Sequence, residues 1–299
     1  MEPLYILQAV QAGGTTLSGT TGHSANTGSR IQTDALDGAY AGRAAYMTGQ
    51  EPKADFSTKN ISGAIGLLGT VVKSLATLGG LKLWLQMVTG PVTSGTGLSR
   101  ILTEGLVYPT RLNVSHGGDA EMSYEAIAVQ GTQPIIDAQT GNLPSLETAP
   151  VFTLGPCWLG NIRMTGLKSV EVAFGVSAIV EGVDGAVRPT RIGIQAFNPV
   201  VTVSGIEPGW FAEAGIPLDG RIATQANTTI TLQQRKHGSL LWGPSESKHI
   251  ILNVAGMAVC QQVHSARGRS PTGAQVAMHV IDDGTNPLVK SSYNQAIPG

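Results

Sequence analysis

Charged residues are scarce in this sequence of 299 residues. Asp, Glu, Lys and Arg make up only 13% of it, where a soluble globular protein has about 25%. So few charges leave a free surface short of groups that keep it solvated. Either other subunits cover much of the surface, or Thr, Ser, Asn and Gln provide the solvation. The formal net charge of −1 argues against binding nucleic acid by phosphate neutralisation, because that mode needs a basic stripe.

Cysteines, aromatic residues and long apolar runs are also few. Cys157 and Cys260 are the only cysteines, and we expect two buried thiols in a reducing cytosol rather than a disulfide. The apolar stretch 61–88 is interrupted by two lysines and five glycines, so it does not predict a membrane span. Met1–Pro3 has no basic segment typical of a signal peptide. An aromatic content of 5% disfavours a carbohydrate-binding module, which stacks sugars on rings.

No motif indicates an active site. The glycines of Gly63–Gly69 have the wrong spacing for a dinucleotide-binding loop, and residues 215–222 lack the Lys and Ser/Thr of a phosphate loop. The histidines show no pair at metal-ligand spacing, and we expect His249 and His279 to lie within strands. Asp282–Gly284 is interpreted as a turn. We therefore predict no catalytic, cofactor-binding or metal-binding residue, no cofactor, and no enzymatic activity.

Glycine and strand-forming residues are abundant instead. The chain has 39 glycines together with many Thr, Ser and Val residues, which favour turns and strands over long helices. Alternating or β-branched runs predict six strands in the second half, at 169–174, 191–195, 200–203, 228–232, 249–254 and 275–281. In the first of these, Val170, Val172 and Phe174 share one face and Glu171 the other. Turn residues between closely spaced runs are typical of a β-sandwich or barrel.

One helix is expected in each half. In the first half, apolar residues recur at helical spacing between Ile61 and Leu75, although three glycines within this stretch lower its helix propensity. In the second half, residues 207–215 predict one or two turns. Pro208 suits the first turn of that helix and Gly215 its C-terminal cap.

The two halves of the sequence resemble each other. Adding 147 to the residue numbers carries Pro3–Leu7 onto Pro150–Leu154, and carries glycines onto glycines at 13, 19 and 28. After a small insertion, a shift of 153 carries Gly131–Ile136 onto Gly284–Val289. Turn residues fix backbone conformations that other residues adopt only at a cost, so a shared fold would keep them. We predict an internal duplication, with chance alignment of a glycine-rich chain as the alternative.

The duplication predicts the domain organisation. We expect a mostly β chain of two tandem, similar β-sandwich or barrel domains, each with one short helix. The first covers residues 1–147 and the second residues 148–299. Asp137–Glu147 carries turn and linker residues at the junction between them.

Three features resemble a known family. Pro52–Thr58 is a strand candidate that continues into the helix candidate, the run Gln275–Ile281 is followed by Asp-Asp-Gly-Thr-Asn-Pro, and the charge content is low. This pattern is similar to the tail tube proteins (major tail proteins) of long-tailed bacteriophages. The resemblance implies a β-sandwich or barrel domain with one helix that pairs strands with its neighbours to form a ring. The duplicated chain resembles lineages in which each subunit holds two tube domains.

The resemblance also implies a function and partners. The chain would be a structural virion protein that is made in the host cytoplasm and located in the viral tail. Its partner would be itself, as homotrimeric, pseudo-hexameric rings stacked into a tube, together with tape measure and tail-end proteins. DNA would pass through the tube without specific binding, and no membrane would be involved. A capsid-associated or decoration protein with a double β-sandwich is the alternative.

Two segments are predicted to make contacts between subunits. Gly13–Ser29 and Gly90–Gly97 are rich in Gly, Thr and Ser, and such compositions do not form a core of their own. We expect them to be disordered in the isolated chain and to become ordered when they dock on a neighbour.

Overall fold

A computed structural model describes the chain at residues 5–12, 15–26, 28–34, 42, 44–68, 81–87, 97–102, 105–129, 136–140, 148–182, 185–206, 209–216, 223–225, 227–238, 240–254, 257–265, 273–282 and 287–298. These residues form antiparallel strands and two short helices. The chain is therefore mostly β, as predicted.

The described residues of the first half form eleven strands and one helix. Their bounds are β1 (Tyr5–Ala12), β2 (Thr15–Leu17), β3 (Thr20–Asn26), β4 (Ser29–Asp34), β5 (Ala44–Gln50), β6 (Lys53–Thr58), α1 (Ile61–Leu68), β7 (Leu81–Met87), β8 (Gly97–Leu102), β9 (Gly105–Ser115), β10 (Glu121–Ala128) and β11 (Ile136–Thr140).

The described residues of the second half form twelve strands and one helix. Their bounds are β12 (Phe152–Leu159), β13 (Ile162–Met164), β14 (Leu167–Ala173), β15 (Val176–Glu181), β16 (Arg191–Phe197), β17 (Val200–Gly205), α2 (Gly209–Glu213), β18 (Ala223–Gln225), β19 (Thr228–Gln234), β20 (His249–Val254), β21 (Met257–Ser265), β22 (Gly273–Ile281) and β23 (Val289–Gln295).

Three large sheets and two separate hairpins organise these strands. Each half has its own five-stranded sheet, in the order β11-β8-β7-β1-β2 and β13-β12-β19-β20-β23. A nine-stranded sheet runs through both halves in the order β18-β21-β22-β17-β14-β9-β10-β6-β3. The hairpins β4–β5 and β15–β16 form two-stranded sheets of their own. The two halves thus share one continuous sheet.

Strand pairing repeats between the halves, residue by residue. Val10 pairs with Leu17, and 147 positions later Cys157 pairs with Met164. The pairs β3–β6 and β4–β5 recur with the same shift as β14–β17 and β15–β16, with the bulges at the same places. The pair β9–β10 recurs as β21–β22 with a shift of 152 at Glu121↔Asn113 and Gly273↔Ser265, and β21 shifts to 153 beyond the bulge between Ser123 and Tyr124, which β21–β22 lacks. The two halves therefore have the same strand topology.

Two glycines mark the same close approach in each half. Gly28 and Gly175 have φ angles of 56° and 59°, a left-handed conformation that favours glycine. A Cβ atom on either would lie 2.0 Å from a backbone carbonyl oxygen, that of Glu51 and that of Asn198 respectively. In return, the amides of Glu51 and Asn198 donate hydrogen bonds to the carbonyls of these glycines, at 3.2 and 3.1 Å. Only glycine fits at these two positions.

Apolar side chains between the sheets form the core. Val201 and Val203 alternate with half-buried residues along β17, which is the pattern of a strand with one face inward. In the first half, the rings of Phe56 and Tyr124 stack with centroids 5.1 Å apart. The Tyr124 hydroxyl donates a hydrogen bond of 2.6 Å to the Ala64 carbonyl of α1, which attaches the helix to the sheet.

The predicted strands of the second half are all present, and Val170, Val172 and Phe174, which were predicted to share one face, are buried. Helix α1 begins at Ile61 as expected and is described as far as Leu68, and the rest of the predicted helix, residues 69–75, lies outside the described residues. Helix α2 has just over one turn, with Trp210 buried. Glu207 and Pro208 lie outside the described residues.

The predicted linker at the junction is partly wrong. Asp137–Thr140 belongs to β11, where it pairs with β8, because hydrogen bonding in a sheet overrides local turn propensity. Residues 141–147 lie outside the described residues. Cys157 is a free, buried thiol, and burial raises its pKa to about 12. The side chain of Cys260 lies outside the described part.

Candidate assembly surface

Histidines and acidic residues form no metal site within the described ranges. As expected, His249 lies in β20 and His279 in β22. The buried His249 accepts a hydrogen bond at Nδ1 from the Gln234 amide, at 3.2 Å, and its Nε2 lies 2.9 Å from the Gly243 carbonyl oxygen. Both ring nitrogens are engaged with the backbone, so this imidazole has a structural role.

The other motifs that resembled ligand-binding sites lie in regular structure or outside the described residues. Gly63 and Gly66 lie inside α1 rather than in a loop. Residues 217–222 and 283–284 lie outside the described residues, and Asp282 is exposed. A groove of about 480 Å³ lies beside β12 and includes His116, Thr153 and Arg235 in its lining. The described residues that line it include no carboxylate or thiol. None of them could therefore orient the His116 imidazole as a carboxylate does in a catalytic triad.

The two halves of the chain contact each other through a strand pair, which we call the joint. Strand β9 of the first half pairs with β14 of the second through five residue pairs, from Arg111↔Ala173 to Ser115↔Ser169. Residues 111–115 alternate between exposed and buried, as their alternating polar and apolar sequence dictates. The buried face of the joint is apolar, and consists of Leu112, Val114, Val170 and Val172.

Hydrogen bonds extend the joint at both ends. The His116 amide donates to the Lys168 carbonyl at 2.8 Å, and the Phe174 amide donates to the Thr110 carbonyl at 3.1 Å. On the exposed face, Arg111 Nε lies 3.2 Å from an oxygen of Glu171. Both side chains of this ion pair are about half exposed, so it adds little to the stability of the joint.

A hairpin of the second half covers the first half. Leu106, Tyr108 and Ile127 form a small buried cluster on β9 and β10. The alternate residues of the β15–β16 hairpin pack against this cluster: Val176, Ala178, Val180 and Ile192. The pKa of the Tyr108 hydroxyl is raised, first by burial and then by its hydrogen bond to Glu125. This second contact between the halves is thus mainly apolar.

The turn after β9 adds a polar contact. Asp119 lies in this turn, with one carboxylate oxygen 2.9 Å from Lys59 Nζ and the other 3.1 Å from Arg235 Nε. The hydrogen bond from Lys59 is the main cause that lowers the pKa of Asp119, and Arg235 lowers it further. Arg235 also donates a hydrogen bond to the Gly117 carbonyl. One carboxylate therefore links a lysine of the first half to an arginine of the second.

The joint pairs two different strands of the shared topology, so it is a head-to-tail contact. The counterparts of these two strands lie at or near the two ends of the sheet. In the shared topology, β14 is the counterpart of β3, and β9 is the counterpart of β21. The strand β3 is at one end of the nine-stranded sheet. Near the other end, β18 pairs only with Ala258–Cys260 of β21, and residues 261–265 have no further strand partner in the described structure. Each end thus carries one member of the same kind of strand pair.

The hairpin of the first half is exposed where its counterpart is covered. Ser29, Ile31, Thr33 and Ala45 are the counterparts of the four residues that pack on the first half, and all four are exposed. Ile31 is 69% exposed, while its neighbours Tyr46 and Met47 are about half exposed. Large exposed apolar residues are thus grouped on the hairpin of the first half.

The two segments predicted as subunit contacts have different outcomes. Most of Gly13–Ser29 forms β2 and β3, and Leu17 is fully buried in the core of the chain. The expected ordering of this segment on docking stays a prediction. The exposed strand β3 lies within it, at the end of the sheet. The segment Gly90–Gly97 lies outside the described residues except for Gly97, which begins β8.

Sequence reasoning missed the joint itself. The alternation in Arg111–Ser115 was a sufficient signal for a half-buried strand, but it carries no information about which strand lies beside it.

Comparison with known proteins identifies no family: no protein-family model and no curated protein matches the chain. None of the described helices is long and apolar enough to cross a membrane.

Proposed function

We propose that the chain is a structural subunit that forms stacked rings, and that these rings make the hollow tail tube of a long-tailed bacteriophage. The observation that carries this proposal is the head-to-tail joint between the halves. A joint whose two sides differ leaves one side open at each end of a chain, and repeating it generates a closed ring or an open filament.

The repeated strand topology supports a duplicated tube subunit. We infer that residues 1–147 and 148–299 are two copies of one tube-type domain. Two domains per chain can occupy adjacent positions in a ring that single-domain relatives would fill with six chains. Such a ring closes with three chains, so it is a homotrimer with pseudo-hexameric symmetry.

The surface chemistry agrees with a protein that is covered on assembly. Only 13% of the residues are charged, and the hairpin β4–β5 exposes Ile31, Tyr46 and Met47. Strands at the end of a sheet promote uncontrolled pairing in a free β-protein, and pairing within a closed ring removes that hazard. The principal partner is thus a second copy of the chain.

The proposal also assigns a location and further partners. The chain is made in the host cytoplasm and ends in the tail of the virion, where tape measure and tail-end proteins contact the tube. DNA passes through the tube in transit and is not bound specifically. Catalysis, cofactors and membranes have no part in this function.

Negative-stain imaging of the purified chain at increasing concentration tests the proposal. We expect rings or open tubes, and rings whose mass corresponds to three chains with pseudo-sixfold rotational symmetry. Particles that stay discrete at every concentration would instead support a decoration protein with a double β-sandwich. Rings of six chains would keep the tube and refute the trimer.

A further inference from the structure

We infer that the joint inside the chain is the template for the joint between chains, and that β21 of one copy pairs with β3 of the next copy in a defined register. The inference rests on the proposed function only in requiring that copies of the chain associate. The partner is a second copy of this chain, because the complement of each open edge is present at the opposite end of the same sheet.

The register follows from the two shifts that relate the halves. Asn113 of β9 lies opposite Glu171 of β14. Adding 152 to the first number gives Ser265 of β21, and subtracting 147 from the second gives Ser24 of β3. By the same arithmetic Arg111↔Ala173 becomes Val263↔Asn26. The β21 residues Val263–Ser265 lie beyond the three that β18 occupies, so β18 leaves this register open.

The hydrogen bonds of the internal joint define the kind of pair that Ser265 and Ser24 form. His116 bonds to Lys168, and Phe174 bonds to Thr110. Since hydrogen-bonded and non-hydrogen-bonded pairs alternate along antiparallel strands, Asn113↔Glu171 is a non-hydrogen-bonded pair. Its Cα atoms are expected about 4.5 Å apart, a separation that two cysteines can bridge. Ser265↔Ser24 inherits this geometry.

The exposed hairpin provides a second, independent contact at the same joint. Ala178 packs on the cluster that contains Tyr108 in the internal joint. Its counterpart in the first half is Ile31, and the position of β21 that corresponds to Tyr108 by strand pairing is Gln261. On the template of the internal joint, Ile31 of one copy packs over β21 near Gln261 of the next copy.

A cysteine pair tests the register in the full-length chain. We expect an equimolar mixture of the single variants Ser24→Cys and Ser265→Cys to form covalent dimers on mild oxidation of the assembled protein. The double variant should form covalent oligomers that stop at three chains. Asn113→Cys with Glu171→Cys is the matched control, which should cross-link within one chain. The unmodified chain reports any background from its own cysteines.

A pair of charge substitutions tests the hairpin contact. Ile31→Glu should raise the concentration needed for assembly by about tenfold or more, because burying a charge costs several kcal/mol. The fold should survive, since Ile31 is 69% exposed in the single chain. Ile179→Glu is the control: it is 43% exposed and lies on the face of β15 that points away from the cluster. Equal effects of the two variants would overturn the assignment of the face.

The outcomes separate this inference from the proposed function. Suppose that rings or tubes form and the internal control cross-links, but Ser24→Cys and Ser265→Cys do not. This result would overturn the proposed joint between chains without contradicting the tail tube. Cross-linked oligomers of the expected register that never stack into tubes would support the joint and refute the tube. A chain that stays monomeric at every concentration would overturn both.

Discussion

At the scale of single residues, the two related glycines make a strong demand on the sequence. Gly175→Ala should lower the free energy of unfolding by about 2 to 4 kcal/mol, because the left-handed conformation and the overlap with the Asn198 carbonyl both oppose a Cβ. Gly28→Ala should cost as much, since its Cβ would meet the Glu51 carbonyl at the same distance. Chemical unfolding of each variant measures these costs.

Gly160→Ala is the matched control for this prediction. Gly160 has a φ of 58°, close to that of Gly175, but a Cβ there would meet no atom within 4 Å. Only the conformational cost remains, which is about 1 kcal/mol. If Gly160→Ala and Gly175→Ala were equally destabilising, the close approach to the Asn198 carbonyl would carry no weight.

Asp119 gives the joint a dependence on pH. Its pKa is lowered, chiefly by Lys59, so the ionised carboxylate stabilises the folded chain fully above the ordinary value of 3.8. That contribution is lost as the pH falls through the lowered pKa. Asp119→Asn should therefore cost about 1 kcal/mol at neutral pH, a value limited by the partial exposure of all three side chains. The cost should decrease at pH values below 3.8.

Unfolding measured from about pH 6 to about pH 3 checks this dependence. Glu213→Gln serves as the control, because it removes one exposed carboxylate of α2 that lies outside the Asp119 cluster. A cost of Asp119→Asn that stays constant over the whole range would contradict the ionic role.

At the scale of strands and helices, hydrogen exchange should distinguish the internal joint from the open ends. Amides of β9 at residues 111–115 pair with β14 within each chain, so they should be protected both in the isolated chain and in the assembly. Amides of β3 and of residues 261–265 should exchange faster in the isolated chain and become protected on assembly, because a strand partner arrives only then. Equal protection of β3 in both states would count against its pairing with a neighbour.

The sequence predicted strands where the period of two was unbroken. Strand β14 was identified because Val170 and Val172 alternate with polar residues and are buried in the core. Strand β12 was not, because Gly155 and Pro156 lie at the bulge between Leu154 and Cys157 and interrupt its alternation. Near the end of the chain, the sequence alignment of the two halves was wrong by one residue. It matched Ile136 to Val289, whereas the strand pairing matches Ile136 to Lys290.

The pairing of strands from different halves was beyond the reach of the sequence. Burial on one face fixes which side chains of β9 point inward, and any half-buried strand would satisfy that pattern. Its edge is free to pair with whichever strand the rest of the chain brings beside it. The joint therefore became visible only once β9 and β14 were placed in one sheet.

At the scale of the whole molecule, the joint divides the contacts of any assembly into two kinds. One kind is already made inside each chain, where the connection between the halves acts as a high local concentration, on the order of millimolar or above. The other kind must form between separate molecules, each of which gives up translational and rotational freedom.

This division would affect both the formation of the first ring and the divergence of the two halves during evolution. A ring of three chains requires the encounter of three bodies where six separate domains would need six, so the entropic barrier to the first closed ring is lower. In such an assembly the internal joint would tolerate weak pairing because the chain keeps its two halves together, whereas the joint between chains would depend on its own affinity. Selection would then act on Ile31 and Ala178 under different constraints, and related positions of the two halves would be free to diverge.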